Sequence, residues 1–100
     1  MLKITVQEMP EARLIKLEGR IAGPWVEELK RVWASLASVL DSKKLSLDLR
    51  EVTFADPAGR QLLSEIYSNT RADFLADTPM TKFFAEEAMR GRQSVQQEGA

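Results

Sequence analysis

The stretch Asp56-Pro57-Ala58-Gly59-Arg60 is where residue type and spacing come nearest to a functional site in this chain. An aspartate directly before a proline reads as a helix start. Its carboxylate can accept bonds from the first free N–H groups, and proline at the first helical position gives up a donor that had no partner. Gly59 is the residue that would let a helix and a strand approach closely. A single glycine with no Lys-Ser or Lys-Thr behind it does not make a phosphate loop. Arg60 projects from the first turn, a solvated side chain in itself and also the best-placed charge for steering a partner. Elsewhere reactive chemistry is sparse. The chain has no cysteine and no histidine, which removes thiol nucleophiles, disulfides, the usual neutral-pH acid–base group and the commonest metal ligands. Serines are present, but nothing in the sequence declares a base to activate one. Acidic residues are too dispersed to suggest a metal site. The expectation is a protein that is not an enzyme, with no metal and no cofactor.

The elements that must position this stretch follow from periodicity. Leu45, Leu47 and Leu49 alternate with Ser46 and Asp48, a half-buried strand with Ser46 and Asp48 turned away from the core. Val52 and Phe54 carry it on in extended form to Asp56. Beyond Pro57, Leu62, Leu63, Ile66 and Tyr67 share one side of a helix, opposite Arg60, Gln61, Ser64 and Glu65. Ser64 and Ser68, on or near the wet side, are the hydroxyls a kinase could reach.

Upstream, Leu2, Ile4 and Val6 alternate with Lys3, Thr5 and Gln7 as a first strand. Met9-Pro10-Glu11 breaks it, and Ala12 to Glu18 forms the second, an antiparallel hairpin. Gly19 to Gly23 reads as a loop and Gly23-Pro24 as the start of a helix whose apolar positions are Leu29, Val32, Trp33, Leu36 and Leu40. Glu27 can pair with Arg31 on its wet side. Trp25, in the first turn, either packs over the sheet edge or meets a partner. Asp41-Ser42-Lys43-Lys44 is a polar connector. Downstream, Arg71 to Ala76 fits a short last strand. Thr78-Pro79 repeats the cap-and-proline start, Met80, Phe83, Phe84 and Ala88 form the apolar side of a third helix, and Gly91 ends it. Phe83 and Phe84 are adjacent, so a helix cannot bury both, and one is free to face a partner. The segment 91–100 is polar and aperiodic and is expected to be disordered.

The order is β-β-α-β-α-β-α, with strands two, three and four parallel through right-handed crossovers. The fold class is therefore α/β: a small mixed sheet of about four strands with amphipathic helices against it. One hundred residues make one domain, and a chain of this size buries about 60–70% of its unfolded surface. At 44% hydrophobic residues, that suffices for a core without staples. Fourteen basic and fifteen acidic residues, scattered, leave no footprint for nucleic acid. No apolar run is long enough to span a bilayer, and the start MLKITVQEM lacks a signal peptide's apolar core. A soluble, cytoplasmic protein is expected, without direct membrane insertion.

Asp48-Leu49, Val52, Phe54, Asp56, Gly59 and Leu62-Leu63 together resemble the signature of the STAS domain, the family named for sulfate transporters and anti-sigma factor antagonists. The resemblance covers roughly residues 2–90 and is specific around 47–63. It implies one STAS-like domain at 1–90 and a protein-binding role in transcription regulation. In the antagonists of that family, a Ser or Thr two residues after the motif aspartate is phosphorylated by the partner, an anti-sigma factor that is a serine kinase. The same face docks that partner when unmodified. Here the position is Ala58, preceded by Pro57, so no hydroxyl exists there. The family's acid in the preceding loop is also missing, since Gly19-Arg20-Ile21-Ala22 stands where Gly-x-hydrophobic-Asp is common. The resemblance thus implies a module without phosphorylation at the usual position. Its partner-binding candidates are Ala22, Gly23 and Trp25 with Asp56, Pro57, Ala58, Gly59 and Arg60. Two alternatives stand beside it: an accessory subunit of an ABC-type lipid or anion transport system, and a small nucleotide- or lipid-binding module using the helix start.

Overall fold

Alternating apolar residues and two Pro-tipped helix starts give the chain its layers. The computed structural model describes residues 1–37 and 44–99, with side chains to residue 36 and over 44–90. The elements are β1 (Leu2–Met9), β2 (Ala12–Ile21), α1 (Pro24–Ala37), β3 (Lys44–Ala55), α2 (Pro57–Thr70), β4 (Asp73–Leu75) and α3 (Pro79–Gly99). They make a four-stranded sheet in the order β1-β2-β3-β4, with β1 antiparallel to β2 and the other neighbours parallel. Both crossovers step the same way across the sheet. Right-handed connections then place α1 and α2 on one face, and α3 packs on α2 and β3 there. The fold is the mixed α/β arrangement that the element order predicts.

The core lies between that face and the helices. Ile15, Leu17 and Ile21 of β2, Leu45, Leu47 and Leu49 of β3, Leu29 of α1, and Leu63 and Ile66 of α2 are almost wholly buried. Each such side chain contributes on the order of 1.5–3 kcal/mol. The opposite face carries charge: Lys16 lies across from Asp48, and Lys44 pairs with Asp73 at 3.2 Å.

β3 is longer than its partner requires. Lys16 pairs with Asp48 but Glu18 with Glu51, and Gly19 pairs with Val52 but Arg20 with Phe54, so β3 carries an extra residue at each of two bulges. Both are tied down. The Arg50 N–H donates to Asp48 Oδ1 at 3.0 Å, and the Thr53 hydroxyl donates to Gly19 O at 3.2 Å. Asp48 is accordingly not solvated as alternation predicts. It is 2% exposed, closed over by the Arg50 guanidinium at 3.0 Å to each carboxylate oxygen.

Several boundaries differ from expectation. β2 runs on to Ile21 because Gly19, at φ 107°, keeps pairing through a backbone shape other residues resist. The expected loop shrinks to Ala22 and Gly23. The last strand is only Asp73–Leu75. Arg31 pairs with Glu28 at 2.7 Å rather than with Glu27, three residues being as close as four on a helix surface. α3 turns differently too: Thr81, Phe84, Ala85 and Ala88 are buried, whereas Met80 and Phe83 are 39% and 49% exposed. Thr81 takes the inward place because its hydroxyl closes the turn around Thr78, donating to Thr78 O and accepting from the Asp77 and Thr78 N–H groups. Gly91 does not end α3, which runs to Gly99. A lone glycine costs a helix about 1 kcal/mol, and its neighbours Arg90, Arg92 and Gln93 are good helix formers. Leu40 and the connector residues 41–43 lie outside the described residues.

Candidate functional site

The ends of β2 and β3 meet at one turn. Ile21 is level with Ala55, and the Asp56 N–H donates to Ile21 O at 3.1 Å. Asp56 caps α2 as its sequence predicts: Oδ1 accepts the Gly59 N–H at 2.8 Å. Its second oxygen reaches across to the other loop and accepts the Gly23 N–H at 3.1 Å. One carboxylate therefore joins the starts of α1 and α2. Bonds to its charged form, from Gly59 first and then Gly23, hold its pKa below the usual carboxylate range.

Gly59 is buried where α2 crosses the end of β2. A Cβ there would overlap Ile21 O and come within 2.9 Å of Ile21 Cγ2, so close approach is its role. Arg60 is not the solvated side chain that its position in the sequence suggests. Its Nη1 donates to Ala55 O at 2.8 Å, and its Nε lies 3.0 Å from Glu87 Oε1, tying the start of α2 to β3 and α3.

The structure thus brings Ala22, Gly23, Asp56, Pro57, Ala58, Gly59 and Arg60 to one junction, with Trp25 in the adjoining first turn of α1. Gly23, Pro57 and Ala58 are exposed, Trp25 is 37% exposed, and Ala22, Asp56 and Arg60 are half-buried. The exposed residues of the turn, Gly23, Pro57 and Ala58, carry no charge, and both oxygens of the half-buried Asp56 are taken by backbone N–H groups. Two features were missed in the sequence. Glu87, from the third helix, is the partner of Arg60. Phe54 is exposed at the strand end beneath the Arg20 guanidinium, 4.8 Å from its ring centroid. Phe54 was legible as extended chain and as part of the signature, but its exposure was not, since nothing before the second bulge shows which face it takes. Among the described residues no group of three or more metal-ligating side chains occurs, and no helix is long and apolar enough to cross a membrane.

The element order β-β-α-β-α-β-α, with a mixed sheet ordered 1-2-3-4 and helices on one face, is that of the STAS-like fold, and the chain has that fold. An anti-sigma factor antagonist from Mycobacterium paratuberculosis superposes with a TM-score of 0.71 at 21% identity, over 95% of this chain and 82% of that one. The anti-sigma factor antagonist SpoIIAA in its unphosphorylated form gives 0.62 at 12% identity, over 85% and 83%. A third structure, Mglu, gives 0.60 at 19% identity over 75% of this chain and only 19% of its own, so the same fold also occurs inside much larger chains. No protein-family model and no curated protein matches the sequence.

Proposed function

We propose that residues 1–90 act as a single non-catalytic, protein-binding regulatory module of the anti-sigma factor antagonist type. The module docks its partner through the turn at 56–60 and the adjoining Ala22, Gly23 and Trp25. The observation that carries this reading is the Asp56 junction. It ties two loop ends into one surface whose exposed residues Gly23, Pro57 and Ala58 are uncharged, and rigid surfaces lose little entropy on docking. Two structural neighbours named as anti-sigma factor antagonists support it. Ala58 sits in the exposed first turn of α2 and has no hydroxyl, so control does not pass through phosphate at that residue.

The test separates docking from folding. Ala58→Glu places an anion in a helix first turn, where it is stabilising by about 0.3–1 kcal/mol, so the fold should hold. The same charge sits in the middle of the docking surface. The wild-type chain, used as bait in the native organism, should recover a serine-kinase anti-sigma factor, and Ala58→Glu and Trp25→Ala should lose it. Recovery of a transporter ATPase or permease instead would move the chain to the transport reading. A partner retained by both folded variants would refute the docking site. Incubation with the recovered kinase and ATP should leave the mass of the Pro57–Gly59 segment unchanged.

A further inference from the structure

The two edges of the sheet are built differently. β4 is short, three residues beginning with Asp73, a common way of blunting an edge. β1 is eight residues long and pairs with β2 in unbroken register from Leu2 opposite Gly19 to Met9 opposite Ala12. It has no proline, no glycine and no bulge. Among the described residues it pairs with no other strand.

The register fixes which groups of β1 are free. Arg20 N–H donates to Met1 O at 3.0 Å, so Met1 and Arg20 form a hydrogen-bonded pair. Such pairs alternate along an antiparallel ladder, so Lys3, Thr5, Gln7 and Met9 also bond to β2. Leu2, Ile4, Val6 and Glu8 then direct N–H and C=O outward. Ile4 and Val6 stand opposite the buried Leu17 and Ile15, on the helix side, yet Val6 is 38% exposed. Leu2 is buried and Ile4 is half-buried against the core, so Val6 is the residue of β1 where free backbone groups and an uncovered apolar side chain coincide.

The geometry points to a second copy of this chain as the occupant of that edge, pairing β1 with β1 antiparallel about a two-fold axis at Thr5. Ile4 then faces the second copy's Val6, Lys3 faces its Gln7, Leu2 faces its Glu8, and Thr5 faces Thr5. Like charges never oppose. Glu8 already has its countercharge in Arg13 at 2.7 Å. All four outward residues find bonds, two for each hydrogen-bonded pair. Centring on Ile4 would leave Glu8 unpaired, and centring on Val6 would set Ile4 against Glu8. The result is a continuous eight-stranded sheet, twice the four strands of one chain. A single strand edge buries less than the roughly 1,200 Å² of a stable interface, so the dimer is weak and concentration-dependent.

Sedimentation velocity from micromolar to millimolar protein should show the mass rising toward twice that of one chain. Val6→Pro removes an outward N–H and no bond to β2, and should abolish the rise. Should proline disturb β1, as circular dichroism would reveal, Val6→Lys does the same through charge. The native chain has no cysteine, so single-cysteine variants report the register. Opposed residues at the axis lie about 4.5 Å apart between Cα atoms, within the roughly 4.4–6.8 Å range of a disulfide. Under mild oxidation Thr5→Cys should cross-link much faster than Lys3→Cys. A chain that stays monomeric throughout overturns the inference. So does a dimer that survives both Val6 variants, or equal cross-linking at the two positions.

Discussion

Gly59→Ala tests the junction most directly, because two opposing effects of known size meet there. Alanine favours a helix over glycine by about 0.5–1 kcal/mol, so away from tertiary contact the change would stabilise. At Gly59 the added methyl overlaps Ile21 O and lies 2.9 Å from Ile21 Cγ2. Overpacking of this kind costs about 1–3 kcal/mol, and here the obstacle is backbone, which cannot rotate away. Ile21 O also accepts the Asp56 N–H at 3.1 Å. Displacing it weakens a bond worth about 0.5–1.5 kcal/mol. The sum is a net loss of about 2 kcal/mol, which lowers Tm by roughly 8–16 °C for a domain of this size. Thermal unfolding followed by circular dichroism measures it. Urea titration should show a lower midpoint at unchanged slope, since the surface exposed on unfolding is the same. A Tm equal to or above wild type would mean that the helix and β2 are free to separate, and the rigid-junction argument would fail.

Arg60→Ala should destabilise by about 1–2 kcal/mol through loss of the charged bond to Ala55 O, with only about 0.5–1 kcal/mol of coupling to Glu87 in a double-mutant cycle, because that pair is part-exposed. Acid titration should lower stability through two carboxyls. Bonds from the Arg50 side chain hold Asp48 below its ordinary pKa, and the Gly59 and Gly23 N–H groups do the same for Asp56. Each contribution is complete above the unfolded value of about 3.9 and is lost as pH falls below it through the depressed folded values. Asp48→Asn, measured by urea midpoints from neutral pH downward, should flatten that acid limb; an unchanged limb would show that Asp48 does not contribute to it.

Much of this arrangement was legible in residue spacing, and the losses have specific causes. Asp56-Pro57 announced a capped helix because both residue types act locally, and local chemistry survives into the fold. Gly59 was readable for the same reason. The partner of Arg60 was not, because Glu87 is far along the chain and only the packing of α3 on α2 brings it near. Asp48 looked solvated since it fell on the polar phase of an alternating strand. The bulge two residues on returns Arg50 to cover it. Of the apolar side that the sequence gives α3, Phe84 and Ala88 turn inward and Met80 and Phe83 do not, because the Thr78–Thr81 bonds set the rotation of the helix.

The two bulges in β3 explain why the turn sits where it does. Arg13 pairs with Leu45, and eight residues later Ile21 would reach Thr53 if both strands ran evenly. One insertion would bring Phe54 level with Ile21, driving a large ring into the helix face and turning Ala55 outward. Two insertions restore the parity of Ala55 and draw it back beside Ile21, where it is fully buried. Only then does the next residue, Asp56, stand close enough to bond Ile21 O, Gly59 and Gly23 together. The spacing was present in the sequence as Leu45, Leu47, Leu49, Val52, Ala55, two steps of two followed by two of three. A strand whose apolar residues change from every second position to every third is a strand paying out chain, and in this protein the slack ends at the turn that Asp56 caps.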